Sequence, residues 1–123
     1  MSYIELNQVS KHFGSVIAVD RMNLQIAQGE CMAMLGPSGC GKTTTLRMVA
    51  GFEDLDDGEI RVGERIISSK AKNYYLPPEQ RNFGMVFQAF AVWPHLLVFE
   101  NWAFLVVFVN CPKQKSTHVP KRR

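Results

Sequence analysis

The sequence predicts a mixed α/β fold, and three local patterns support that prediction. Tyr3 to Val9 alternates apolar and polar side chains, which is typical of a half-buried strand. Cys31 to Leu35 is a continuous apolar run that ends at Gly36, which is typical of a strand buried on both faces of a parallel sheet. Gly41 to Ala50 has helical spacing of apolar residues, and Gly51 is a natural stop. Strands that precede one strand–helix unit indicate the α/β class.

The other predicted elements are short. Turn residues delimit strands over 16–20, 22–26, 59–62, 65–67 and 83–87, an acidic loop over 53–58 and a polar loop over 68–81. Two predictions compete near the C-terminus, because Pro94 to Phe104 could begin a helix and Trp102 to Val109 is equally compatible with a strand.

Composition restricts the classes of protein that this chain can belong to. Its 123 residues are 46% apolar and 20% charged, which fits one globular domain and excludes disorder over most of the chain. No transmembrane segment is expected, because the longest apolar run, Trp102 to Val109, is far shorter than the about 20 residues of a membrane span. Three widely spaced cysteines without a CxxC pair favour a reducing cytosol over a disulfide framework or a zinc site.

The net charge of +3 belongs to the C-terminal tail. From Cys111 onward there are five basic residues and no acidic one, whereas the residues before Cys111 carry 9 basic and 11 acidic side chains. We therefore expect no nucleic-acid partner for the body of the chain. A tail that binds anionic lipid or nucleic acid is a weaker alternative, because no aromatic residues are interleaved with its charges.

Gly36 to Thr43 matches the phosphate-binding pattern GxxxxGK[ST], known as the P-loop or Walker A motif. Its glycines let the backbone curl so that amide N–H groups point at phosphate oxygens, and the following helix presents its positive N-terminus to the same anion. Lys42 supplies a compact positive charge, and the Thr43 hydroxyl can ligate Mg²⁺. A chance match in a chain of this length has a probability of roughly a few per thousand. The sequence thus predicts a nucleotide phosphate site.

Several further strings, in the same order, resemble the ATP-binding subunits of bacterial ABC importers. The strings are Val9–Gly14, Gly36–Arg47, Ala50–Glu53, Gly58–Ile60, Gln80–Gln88, Trp93–Leu96 and Glu100–Asn101. The likeness is greatest to importers of ferric ion, polyamines and sugars, and Gln88 to His95 is most similar to ferric-ion importers. The resemblance implies the N-terminal half of an ABC-type P-loop NTPase: an antiparallel β subdomain and a P-loop strand–helix unit, ending before the helical signature subdomain. A small P-loop kinase is a third interpretation, which the segment around Gln88 disfavours.

The resemblance also implies roles for individual residues. ATP would be bound by Phe13, Gly36, Pro37, Ser38, Gly39, Cys40, Gly41, Lys42, Thr43 and Thr44. Phe13 would stack on adenine, with a core phenylalanine as the alternative. Lys42 and Gln88 are the catalytic candidates, and Thr43 and Gln88 the candidate Mg²⁺ ligands. Gln88 matches the Q-loop glutamine, which contacts the attacking water and relays the nucleotide state to the membrane subunits.

The partners and location that the resemblance implies are those of an importer subunit. Such a subunit forms a homodimer and contacts permease subunits at the cytoplasmic face of the inner membrane, as a peripheral protein. A chain that fails to assemble would stay in the cytosol. Ala89 to Leu97 would meet the permease, with Phe90, Trp93 and Leu96 as an apolar docking patch.

Three motifs of the family do not occur in these 123 residues: the Walker B strand with its Asp–Glu pair, the Leu-Ser-Gly-Gly-Gln signature and the switch histidine. We expect no useful ATP hydrolysis from a chain that lacks them, because phosphoryl transfer depends on such positioning groups. Residues 1–104 are therefore predicted to be a partial ATP-binding domain. Residues 105–123 are predicted to be an unrelated basic tail, disordered or produced by a frameshift. The alternative is that the chain is the product of a disrupted gene, a non-catalytic remnant whose function is to bind a nucleotide or a partner.

Overall fold

The computed structural model describes residues 2–89 and 92–108, and the chain divides between Met85 and Val86 into two units. The first unit is built on one antiparallel sheet with the strand order β2-β1-β3-β4-β5. The strands are β1 Ser2–Phe13, β2 Val16–Ala27, β3 Asp57–Val62, β4 Arg65–Ser69 and β5 Tyr74–Tyr75. The sheet confirms the predicted antiparallel subdomain. The predicted polar loop over 68–81 contains the end of β4, all of β5 and a short 3₁₀ helix at Pro78–Gln80.

The long hairpin of β1 and β2 forms one edge of the sheet. Its pairing runs from Ser2 opposite Ala27 to Phe13 opposite Val16, with register shifts along the way. The prediction of two strands over 16–20 and 22–26 is wrong, because β2 continues through Arg21 as an irregularity with a φ of 40°. The backbone N–H of Arg21 donates to the Ser10 hydroxyl over 2.9 Å, which supports the chain where the regular ladder is interrupted.

Helix α1, Lys42–Ala50, is the predicted helix of the strand–helix unit. Gly41 precedes it and Gly51 ends it, with both glycines in the left-handed conformation. The amide N–H groups of Gly51 and Phe52 each donate to the Arg47 carbonyl over 2.9 Å, which satisfies one of the last carbonyls of the helix.

The hydrophobic core of the first unit lies between the sheet and α1. Its buried members are Leu6, Val9, Val19, Met48, Leu55, Ile60, Ile67 and Leu76. Met48 is the contribution of α1, and the strand residues come from β1 to β4. Burial of this apolar surface is what holds α1 on the sheet, since a nine-residue helix is marginal by itself.

Two predicted strands do not form. Cys31 to Leu35 pairs with no strand in the described part of the chain, and Leu35 is 94% exposed. The prediction that this run is a strand buried on both faces is therefore wrong here. A buried parallel strand requires neighbours on both edges, and within residues 2–89 and 92–108 none is available to it. Phe83 to Phe87 is likewise not a strand, and Val86 within it is 97% exposed.

The second unit contains helix α2, Val98–Phe108, which settles the ambiguity near the C-terminus in favour of a helix. The Glu100 carboxylate accepts from the Leu97 amide N–H over 2.8 Å, as in a capping box. Helix α2 continues past residue 104, at which the ATP-binding domain is predicted to end. Phe90 and the basic tail from Cys111 onward lie outside the described residues. No helix in the described ranges is long and apolar enough to cross a membrane.

The core predicts that alanine substitution will destabilise the protein to different extents at two isoleucines, one on β3 and one on β2. Ile60 is fully buried, whereas Ile17 is 59% exposed. We expect Ile60→Ala to lower the free energy of unfolding by about 2–5 kcal/mol, because it leaves a cavity, and Ile17→Ala to change it by less than about 1 kcal/mol. Urea unfolding of both variants measures the difference. Equal losses would contradict the core described above.

Candidate functional site

The predicted phosphate loop is a curled segment that leads into α1. Its lysine reaches back into the loop: the Lys42 ammonium donates to the carbonyls of Gly36 and Pro37, at 2.7 Å each, and lies 3.2 Å from the Cys40 thiol. A turn within the loop is closed by the Cys40 amide N–H, which donates to the Pro37 carbonyl over 3.4 Å. The loop thus places its single positive side-chain charge among its own backbone groups, at the N-terminal end of a helix.

Gly41 sets the position of α1 against the sheet. It has a φ of 91°, and a Cβ atom at this position would lie 2.3 Å from the Ala18 carbonyl oxygen and 3.2 Å from a methyl of Val19. Only glycine allows both the conformation and the approach. In the first turn of α1, the buried Thr45 hydroxyl donates back to the Gly41 carbonyl over 2.9 Å. The N-terminus of α1 is therefore held directly on β2.

The hydroxyl groups at the start of α1 suit a phosphate-bound Mg²⁺. Thr43 is exposed and Thr44 is partly buried in the first turn of the helix. In the described residues no cluster of three or more histidine, cysteine, aspartate or glutamate side chains could hold a metal ion. A Mg²⁺ ion keeps several water ligands and commonly takes only one or two from protein, the rest from phosphate. A single exposed threonine hydroxyl beside a phosphate loop fits that requirement.

Phe13 lies at the hairpin end beside this loop. Phe13 is paired with Val16, and Val16 precedes Ala18 by two positions, or about 7 Å of strand. Ala18 is the residue against which Gly41 packs. Phe13 is 47% exposed, and the Lys11 ammonium lies 5.3 Å from the centre of its ring. The alternative of a core phenylalanine is therefore wrong, and the ring has an accessible surface.

An ion-pair cluster fixes the strand that carries Phe13. The Lys11 ammonium lies 3.7 Å from both the Glu53 and the Asp56 carboxylates, and the His12 amide N–H donates to Asp56 over 2.6 Å. That backbone hydrogen bond, with the Lys11 charge, lowers the pKa of Asp56 from its ordinary value of 3.8, although partial burial acts in the opposite direction. In return, the Asp56 amide N–H donates to the Ser10 carbonyl over 2.9 Å.

Gln88 lies in the second unit, whereas the phosphate loop and Phe13 lie in the first. Gln88 is exposed and follows an irregular segment rather than a strand. In the same unit, the Asn101 carboxamide accepts from the Trp93 amide N–H over 2.7 Å and donates to the Leu96 carbonyl over 3.0 Å. This contact ties two residues of the predicted docking segment to α2.

Sequence reasoning missed three residues that support the site. Thr45 and Asp56 carry the contacts described above, and Arg81 is a buried cation in a segment predicted to be a polar loop. Glycine and proline patterns mark loops and turns, but no local pattern marks a loop arginine as buried. The resemblance string Gln80–Gln88 includes Arg81 but assigns it no role.

Comparison with known proteins decides the family. The family model described as ABC transporter matches residues 19–122, which is most of the chain. The chain belongs to the ABC transporter family. The matched residues include both the phosphate loop and most of the tail that the sequence predicts to be unrelated. Solved ATP-binding cassettes of ABC transporters, one nucleotide-free and one in an ADP conformation, give TM-scores of 0.54 and 0.55. Each is 27% identical and covers 57% of this chain and 28% of the solved one.

Several curated import and uptake ATP-binding proteins are more similar in sequence. A trehalose/maltose import ATP-binding protein MalK of Thermococcus litoralis is 44% identical over 115 residues, which are 94% of this chain and 31% of that protein. A spermidine/putrescine import ATP-binding protein PotA of Lawsonia intracellularis is 47% identical over 112 residues, with coverages of 91% and 29%. An osmoprotective compounds uptake ATP-binding protein GgtA of Synechocystis is 41% identical over 115 residues. The chain spans about a third of the length of these relatives.

The lowered pKa of Asp56 predicts a pH-dependent contribution to stability. A carboxylate whose pKa is lower in the folded state stabilises that state above its unfolded pKa of about 4, and this contribution is lost as the pH falls through the folded value. We expect Asp56→Asn to lower the free energy of unfolding by less than about 1 kcal/mol at pH 7, because the side chain is partly exposed. The difference from the wild type should shrink below about pH 4. Urea unfolding across this range measures it, and a constant difference would contradict the assignment.

Proposed function

We propose that this chain binds Mg²⁺-ATP at residues 36–44 and is the nucleotide-binding part of an ABC importer subunit that couples ATP hydrolysis to solute uptake. The observation that carries the proposal is the Lys42 ammonium held within a glycine-rich loop at the N-terminus of α1. A cation, free helix N–H groups and a hydroxyl at one place form an anion site of the kind that accepts a polyphosphate.

Phosphate binding would act on contacts that already exist in the loop. The Lys42 ammonium donates to neutral carbonyls, and a phosphate oxygen would replace some of these with a stronger, charge-assisted bond. The Thr43 hydroxyl would ligate Mg²⁺, and Gln88 remains a candidate Mg²⁺ ligand that the resemblance predicts. That ion, when bound, neutralises charge on the β- and γ-phosphates. The exposed ring of Phe13, near the loop, would stack on the adenine base.

Binding without turnover is the proposed behaviour of these 123 residues by themselves. Lys42 and Gln88 supply charge and orientation, but the groups that activate water in this family, the Walker B glutamate and the signature motif, do not occur in the sequence. The second candidate is a non-catalytic remnant that binds a nucleotide or a partner. We keep in this proposal the prediction that residues 105–123 are an unrelated basic tail rather than part of the ATP-binding domain.

The proposed partners are permease subunits and a second copy of the domain, at the cytoplasmic face of the membrane. In the segment that would meet the permease, Trp93 of the predicted docking patch is 49% exposed, whereas Leu96 is partly buried. The relatives named above are import or uptake proteins, which supports an importer. Their names give sugars, polyamines and osmoprotective compounds as solutes, so the proposed solute class is organic. Ferric-ion import remains a prediction. It rests only on the resemblance of the segment from Gln88 to His95 to ferric-ion importers.

Removal of the Lys42 charge tests ATP binding directly. We expect Lys42→Ala to weaken Mg²⁺-ATP binding by about tenfold or more, because a charge-assisted contact to phosphate is lost. Lys72→Ala is the matched control, since Lys72 is an exposed lysine that pairs with Glu59 on β3. Calorimetry of the 123-residue chain measures binding, and phosphate release in the same samples measures turnover. No binding by the wild type would overturn the proposal, and Lys42-dependent turnover would overturn its non-catalytic part.

The role of Phe13 can be separated from that of the loop by using two ligands. Phe13→Ala should weaken Mg²⁺-ATP binding by about fivefold or more, which is the usual size of a base–aromatic stack. The same variant should bind inorganic tripolyphosphate as the wild type does, because that ligand has no base. Phe52→Ala is the control, since Phe52 has a similar exposure of 49%. Equal losses for both ligands would contradict adenine stacking.

A further inference from the structure

Arg81 is a buried cation that binds the C-terminal end of α1. It is only 6% exposed. One guanidinium nitrogen, Nη1, donates to the Met48 and Val49 carbonyls over 2.7 and 3.0 Å, and Nε donates to the Leu76 carbonyl over 2.6 Å. Met48 and Val49 are in the last turn of the helix, where carbonyls have no partner within the helix. Arg81 therefore joins the end of the phosphate-binding helix to the segment after β5.

The surroundings of Arg81 are shaped to hold its guanidinium. A Cβ atom at Gly51 would lie 2.6 Å from Nε and 2.9 Å from Cζ, so the absence of a side chain there makes room for it. The Tyr75 ring lies 5.0 Å from Cζ, and the Tyr75 hydroxyl donates to the Gly51 carbonyl. Burial lowers the pKa of Arg81 from its ordinary value, and Tyr75 and Asp54 act in the opposite direction.

Apart from the burial of Met48 in the core, few other contacts fix the orientation of helix α1. Its N-cap, Gly41, provides no side-chain hydrogen bond, and its first turn has no acidic residue. The segment that leads into the loop, Cys31 to Leu35, is unpaired in the described part of the chain. The loop is thus positioned from its helical side, through the contact of Gly41 with β2 at one end of α1 and through Arg81 at the other.

We propose that Arg81 is a positioning residue for the phosphate site: it fixes the orientation of α1, and through it the loop at residues 36–44, without touching the nucleotide. The inference rests on the proposed ATP binding. The positioning role requires the planar fork of arginine, because two nitrogens must reach carbonyls on two different segments at once. A lysine ammonium on a flexible stem does not reproduce that geometry. The cation also interacts favourably with the C-terminal end of the helix dipole.

The test compares Arg81→Lys and Arg81→Met with Arg47→Met in the full chain. Arg47 is the matched control, since it is an exposed arginine in the last turn of the same helix. Calorimetry with Mg²⁺-ATP, well below each variant's melting temperature, keeps the unfolded fraction negligible. We expect both Arg81 variants to bind about five- to tenfold more weakly than the wild type, and the control to change by less than about twofold. The amide NMR signals of Gly39 and Gly41 should shift in the Arg81 variants without nucleotide.

A second variant perturbs the same contact without removing the cation. Gly51→Ala should push the guanidinium aside, weaken ATP binding and shift the same two amide signals. Unchanged affinity and unchanged signals in Arg81→Lys and Gly51→Ala would overturn the inference while leaving ATP binding intact. A lower melting temperature with unchanged affinity and signals would also overturn it, since that is a purely structural role. If the wild type binds no ATP, the proposed function fails, and unshifted signals in the variants would then overturn the positioning role separately.

Discussion

The close approach of α1 to β2 at Gly41 is the contact on which the candidate site depends. The helix N-terminus lies against the Ala18 carbonyl, so the phosphate loop is placed beside the end of the β1–β2 hairpin. Burial of Met48 against the sheet holds the helix there. Because the groups proposed to bind the anion are mostly backbone N–H groups, a small movement of α1 would misdirect all of them together. The sheet therefore contributes to the phosphate-binding part of the site by position, and Phe13 at the end of β1 is its one residue proposed to contact the nucleotide.

The ends of the elements around the site are held mostly by hydrogen bonds to backbone groups. Asp56 accepts from the His12 amide N–H near Phe13, Thr45 donates to the Gly41 carbonyl, and Arg81 donates to two carbonyls at the end of α1. The Arg81 contacts satisfy helix-end carbonyls that have no partner within α1, whereas the Gly41 carbonyl accepts from both the amide N–H and the hydroxyl of Thr45. The polar residues near the site thus complete the backbone hydrogen bonding of a small antiparallel unit.

The clearest disagreement between sequence and structure concerns Cys31 to Leu35. Its apolar run is typical of a central parallel strand, and such a strand is stable only when neighbours pair with both of its edges. The described residues provide no such neighbour, so the segment forms no strand and is largely exposed. Tyr3 to Val9 does form a strand, because the strand that pairs with it, β2, follows in the same hairpin. A pattern that relies on distant strands is less secure than one whose partner is adjacent in sequence.

The sequence by itself determined the hairpin turns, helix α1 and the phosphate motif, because each depends on residues within one short segment. It also carried the family resemblance, since several motifs occur in a fixed order. Only the tertiary structure decided that β2 is continuous through Arg21, that Phe13 is accessible, and that Arg81 is buried against α1. These outcomes depend on which distant backbone groups need a hydrogen-bond partner and on which surfaces the core covers. Local sequence patterns indicate neither which backbone groups lack a partner nor which surfaces become buried.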